Sequence, residues 1–133
     1  MHIAKPRLQM RILLADGQPK VRHALRVLLQ RQDDIEIIGE AGDAVALLQQ
    51  LPHSSPDMIL LDWEINGQNP GHLVETIREL LPTSILIALS GRGEARQEAL
   101  GAGADTFIAK TDPPERLLAA ITGYKQLRDM QHA

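Results

Sequence analysis

Four residues of this 133-residue chain stand where a short apolar run gives way to polar residues. Asp16 follows Ile12 to Ala15, and Asp62 follows Met58 to Leu61. Ser90 follows Ile85 to Leu89, and Lys110 follows Thr106 to Ala109. Two carboxylates, a hydroxyl and an ammonium make a set suited to handling a phosphoryl group. One carboxylate can act as a nucleophile and form an acyl phosphate. The other helps to hold a hard divalent cation, which takes oxygen ligands. The hydroxyl and the ammonium can bind the phosphoryl oxygens and spread their charge. Taken singly, each residue reads as an ordinary turn former or helix cap. Their recurrence at four strand ends is what points to a site.

For the four to act together, their strands must deliver them to one edge. A parallel sheet does this, because the crevice of an open α/β sheet lies beyond the carboxyl ends of its strands. The apolar run Met58 to Leu61 is bounded by turn signals and reads as a strand buried on both faces. Arg11 to Ala15 is the first strand. Pro19 then suits the first turn of a helix carrying Val21, Ala24, Leu25, Leu28 and Leu29 at helical spacing. Ile35 to Gly39 alternates apolar and charged residues, which suggests an edge strand. It is the one strand that ends without a member of the set. Val45, Leu47, Leu48 and Leu51 form a second helix, expected to stop at Pro52. Leu73 to Leu81 form a third, closed by Pro82. An Ala-rich fourth helix spans Glu94 to Leu100, and a fifth opens at Pro113-Pro114 and runs to about residue 122. Five strands alternating with five helices predict a parallel sheet covered on both faces.

Composition narrows the function classes. One domain is expected, with an aliphatic core, since the chain has one Trp, one Tyr and one Phe. The absence of cysteine excludes disulfides and thiolate chemistry and fits a reducing cytosol. No apolar h-region marks a signal peptide, and no run reaches the roughly 18 residues that span a bilayer. A net charge of -3 argues against a nucleic-acid surface. The five histidines are scattered, without ligand-like pairing.

The runs Ile12 to Asp16, Leu60 to Asp62, Leu89 to Gly91 and Ala104 to Lys110 resemble the receiver domain of two-component response regulators. The segment Ile37 to Asp43 looks most like receivers of helix-turn-helix regulators. The resemblance covers nearly all of residues 10–122. It implies a flavodoxin-like, doubly wound five-stranded sheet of order 2-1-3-4-5. It places a leader at 1–9 and a polar tail at 123–133, with no effector domain. Asp62 would be the phosphoacceptor, served by a sensor histidine kinase or phosphotransfer protein. Lys110 would pair with the acyl phosphate. Ser90 would move to the phosphoryl group while Phe107 swings inward as the second switch residue. Gly91 fits the need for a small residue beside the incoming group. Asp16, Asp62 and the Glu64 main-chain carbonyl would hold Mg2+, and the Glu64 side chain would tune hydrolysis. The output face would be the fourth helix, fifth strand and fifth helix, acting on an effector protein or on a C-terminal DNA-binding domain outside this chain. The resemblance further implies a cytoplasmic signalling protein of bacterial type, regulating transcription through a phosphorelay. No membrane contact or direct nucleic-acid binding is expected, and a homodimer stays open.

Three departures matter. Receivers usually carry two adjacent acids after the first strand, and here Asp16 is followed by Gly17. Loss of one carboxylate weakens a hard-cation site, unless the Glu64 carboxylate reaches in to replace it. The loop after Asp62 is about one residue longer than usual, and Thr111 stands where a proline often follows the lysine. The alternative reading is therefore a degenerate receiver that binds protein without phosphorylation. An aspartyl phosphatase is disfavoured, since the first strand gives Asp16-Gly17-Gln18 without a second aspartate. No glycine-rich nucleotide motif follows a strand.

Overall fold

The three central strands are the three longest aliphatic runs: β1 (Met10–Ala15), β3 (Met58–Asp62) and β4 (Ile85–Ser90). Flanking them are β2 (Ile35–Ala41) and β5 (Thr106–Ala109), giving one parallel sheet of order β2-β1-β3-β4-β5. The computed structural model describes residues 9–131, so leader residues 1–8 and the last two residues lie outside the described residues.

Period-two alternation sends successive side chains to opposite faces. Leu13, Ile59, Leu61 and Leu86 pack on one face beneath α2 (Ala44–Ser54), α3 (Pro70–Leu80) and α4 (Ala95–Ala102). Ile12, Leu14, Leu60 and Ile87 pack on the other beneath α1 (Pro19–Gln30) and α5 (Pro114–Gln131). Every residue of β3 is buried, as a strand covered on both faces must be. β2 takes the edge, as its alternation predicted, and its register against β1 shifts between Ile12 and Leu13.

Two expected boundaries moved. Pro52 does not end α2, which continues to Ser54. Proline in a helix's last turn removes one N–H, but the exposed carbonyls there need outside partners anyway. Arg11 supplies them from β1, donating to the carbonyls of Ser54 (2.8 Å) and Ser55 (2.9 Å). Residues 123–131, expected as a polar tail, instead extend α5 to Gln131. Long-range partners explain this. Tyr124 Oη shares a hydrogen bond with Thr106 Oγ1 (2.5 Å). Arg128 Nη1 donates to the Gln9 carbonyl (3.0 Å) and pairs with Asp57 Oδ2 (3.1 Å). Arg128→Ala is expected to destabilise the fold by about 1–2 kcal/mol. It should also speed amide hydrogen exchange over residues 123–131, while exchange in β3 and β4 keeps its relative order.

Candidate functional site

The carboxyl edge of the sheet gathers the four strand-end residues. Asp16, Asp62 and Ser90 are all at most 2% exposed, which is rare for carboxylates without partners. Each aspartate caps its own turn: Asp16 Oδ1 accepts from Gln18 N–H (2.8 Å) and Asp62 Oδ1 from Glu64 N–H (3.0 Å). These local bonds fix both side chains before any ligand arrives. Lys110, from the end of β5, places Nζ 2.9 Å from Asp16 Oδ2 and 3.2 Å from Asp62 Oδ1. One ammonium therefore lies between two buried carboxylates, leaving an excess of one negative charge.

Electrostatics follow from that arrangement. Burial pushes the Asp62 carboxyl above its ordinary range, and the Asp16 charge adds to the rise. The Glu64 N–H and Lys110 oppose it without cancelling it. For Lys110 burial acts downward, but the close approach of Asp16 and the charges of Asp62 and Asp16 together raise it.

Thr111, not a proline, follows Lys110, and Asp112 does the holding. Its Oδ2 accepts from Ala109 N–H (3.1 Å), while its own N–H donates to the Ala109 carbonyl (2.9 Å). Lys110 N–H donates to the Ser90 carbonyl (2.8 Å), tying the lysine's backbone to β4. Gln18 adds a further contact, its Oε1 accepting from Lys110 Nζ (3.2 Å). A pocket of about 330 Å³ opens over Asp62 and Lys110, rimmed by Gly17, Gln18, Glu64 and Gly91. A Cβ added to Gly91 would meet no protein atom, so this rim position is open.

The Glu64 carboxylate, on the rim of the same pocket, is held by Ser90 and Arg92. Ser90 Oγ donates to it at 2.9 Å from both oxygens, and Arg92 Nη2 pairs with it at 3.3 Å. Phe107 is buried against the α2–α4 face. Trp63 is buried too, its indole N–H donating to Glu98 Oε1 on α4 (3.1 Å).

The residues fit a hard cation in part. Asp16 Oδ2 is buried and accepts no hydrogen bond of good geometry; its partner is the nearby ammonium charge. An orphaned oxygen beside a second carboxylate is what a divalent ion would satisfy. Among the described residues, however, no three acidic or histidine side chains are grouped to hold a metal. Gly17 offers none, and a Cβ there would lie 3.1 Å from the Gly42 carbonyl oxygen.

Sequence reasoning found Asp16, Asp62, Ser90 and Lys110, and the structure brings these together. It also singled out Glu64, whose carboxylate here meets Ser90 and Arg92. It passed over Gln18, Arg92 and Asp112. Each lies within two residues of a strand-end residue, so proximity in sequence was the available signal.

Comparison with known proteins agrees with the geometry. The pattern described as the response regulator receiver domain matches residues 12–122. The nitrate/nitrite response regulator NarL of Escherichia coli K12 is 32% identical over 112 residues, 83% of this chain and 52% of NarL. The transcriptional regulatory protein YxjL of Bacillus subtilis is 31% identical over 115 residues, 85% of this chain and 53% of YxjL. The chain thus spans about half the length of these curated relatives. Among solved structures, the isolated receiver domain of RcsB from Salmonella enterica serovar Typhimurium superposes with a TM-score of 0.83 at 21% identity, over 89% of each chain. A receiver of NarL from Mycobacterium tuberculosis gives 0.79 at 24% identity, over 89% of this chain and 97% of that one. These two show the fold, and the sequence match over most of the chain shows the family: this chain belongs to the response regulator receiver domains.

Proposed function

We propose that this receiver takes a phosphoryl group on Asp62 from a phosphohistidine of a sensor kinase or phosphotransfer protein and thereby changes a protein-binding surface. The observation that carries the reading is the Asp62 carboxylate, buried at the head of β3, 3.2 Å from Lys110 and open to the pocket. In the transfer, an Asp62 oxygen attacks phosphorus. The P–N bond breaks, and the imidazole leaves with the electron pair and gains a proton. Lys110 stabilises the growing negative charge on the phosphoryl oxygens. Asp16, Asp62 and the Glu64 main-chain carbonyl would hold Mg2+, which supplies charge neutralisation when bound. Chemistry would be limited to gain and loss of this phosphoryl group. The downstream partner would be an effector protein or a DNA-binding region of a longer regulator, and the setting the cytoplasm. Among the described residues, no helix is long and apolar enough to cross a membrane.

Trp63, adjacent to Asp62, provides the test. Mg2+ and then beryllofluoride, an acyl-phosphate mimic, should each change its fluorescence saturably, and Asp62→Asn should abolish the second change. Silence in a folded protein would reject phosphoryl acceptance.

Gly17 favours a second reading, a receiver with weakened cation affinity that binds its partner unphosphorylated. The two readings separate on Gly17→Asp. Adding the carboxylate should tighten Mg2+ by about tenfold in the same titration, as ligand charge count sets affinity at such sites. The close Gly42 carbonyl must yield slightly to admit it. If the beryllofluoride response appears only in this variant, the natural chain works without phosphate.

A further inference from the structure

The Ser90 hydroxyl has one proton to donate, and in this structure that proton is already committed. It faces both oxygens of Glu64 at 2.9 Å, and the hydroxyl oxygen accepts the Arg92 backbone N–H at 2.9 Å. Arg92 closes the group through its guanidinium, 3.3 Å from Glu64 Oε2. Ser90 itself is fully buried, whereas Glu64 and Arg92 reach solvent, their side chains 39% and 52% exposed. A carboxylate presents two anionic oxygens, as a phosphoryl group presents three. Both compete for the same donors.

We propose that Glu64 is an internal competitor for the Ser90 hydroxyl, holding it in a resting position until a phosphoryl group on Asp62 displaces the carboxylate. The inference rests on phosphoryl acceptance at Asp62 and adds what regulates the response. Glu64 is suited to the task by place. Its N–H is anchored on Asp62 Oδ1 (3.0 Å), so it stands two residues from the acceptor. Its exposed side chain can swing out into water with little loss of packing, carrying Arg92 with it. Receptivity is then set by a surface pair, Glu64 and Arg92, acting on a buried hydroxyl. Glu64 acts through Ser90 and is a positioning residue.

Two measurements test this and separate it from the underlying function. In the resting protein, Hα–Hβ couplings of Ser90 should report one side-chain rotamer, and Glu64→Ala should average them. Beryllofluoride titration in Mg2+, followed by Trp63, should then saturate at about tenfold lower concentration in Glu64→Ala, the scale of losing a hydrogen bond to a charged acceptor. Arg92→Ala, which leaves the carboxylate but loosens it, should shift the midpoint the same way by less. In a Ser90→Ala background the Glu64→Ala effect should vanish. Averaged couplings in the natural chain, or an unchanged midpoint in Glu64→Ala, would overturn the proposal. So would an equal shift in the Ser90→Ala background, which would mean that Glu64 merely repels the anion by charge. A single Ser90 rotamer released by Glu64→Ala, with no beryllofluoride response in either protein, would instead locate the failure in phosphoryl acceptance and remove the competitor role with it.

Discussion

Asp62→Asn is expected to stabilise the protein while ending phosphoryl uptake. Asp62 is an anion held out of water beside a second anion, and burial is the main reason its carboxyl titrates above the ordinary value of about 3.9. A carboxyl raised in the folded state binds its proton more tightly there than in the unfolded chain. Stability is therefore greatest below the unfolded value and is lost as pH rises through the folded one. The amide carries no charge and can still accept the Glu64 N–H that Asp62 Oδ1 accepts now. Lys110 keeps Asp16 and Gln18 as partners. The variant should gain about 1 kcal/mol at pH 7, a few degrees in Tm. The advantage should fade as the pH is lowered through the raised Asp62 value to about 4. Thermal unfolding at several pH values checks the stability part, and incubation with a small phosphoryl donor followed by intact mass checks the chemistry. An equal loss of stability at all pH values would show that the Asp62 charge is well accommodated.

Lys110→Met should act in the opposite direction, and more strongly. The ammonium lies between Asp16 and Asp62, at 2.9 and 3.2 Å. Removing one member of a buried ionic group leaves the others uncompensated, which costs about 3–5 kcal/mol. Two carboxylates would face each other with only their turn N–H bonds and a neutral amide nearby. One of them would answer by taking a proton. The variant's deficit should thus be large at pH 7 and shrink towards pH 4, as protonation removes the repulsion. In the natural chain the raised Lys110 value means that the ammonium's stabilisation persists below its ordinary value of about 10.4 and is lost only at more alkaline pH. Urea unfolding across pH gives both results. A pH-independent deficit would assign the loss to packing of the lysine stem. Combining Lys110→Met with Asp62→Asn should recover part of the stability, because the two changes act on one charge cluster.

The contrast between these substitutions explains why the site could be read from the sequence at all. Asp16, Asp62, Ser90 and Lys110 each sit where an aliphatic run ends, and a parallel sheet sends all such ends to one edge. Strand identity, the edge position of β2 and the meeting of the four residues follow from local periodicity and turn chemistry. The buried charges that result would be unfavourable in a protein without use for them.

Other features depend on partners that sequence proximity does not reveal. α2 continues through Pro52 because Arg11 of β1 meets its last carbonyls. Residues 123–131 stay helical because Arg128 reaches Asp57 and the chain at Gln9. Glu64 looked like a spare cation ligand because it lies two residues beyond Asp62. The parallel pairing of β3 with β4 also brings it beside Ser90, and the following loop supplies Arg92, contacts its position in the sequence did not announce. Local pattern determined which residues arrive at the edge of the sheet. Strand register and the long reach of arginine and glutamate side chains decided which of them touch, because those contacts form between segments whose separation in the chain carries no trace of their meeting.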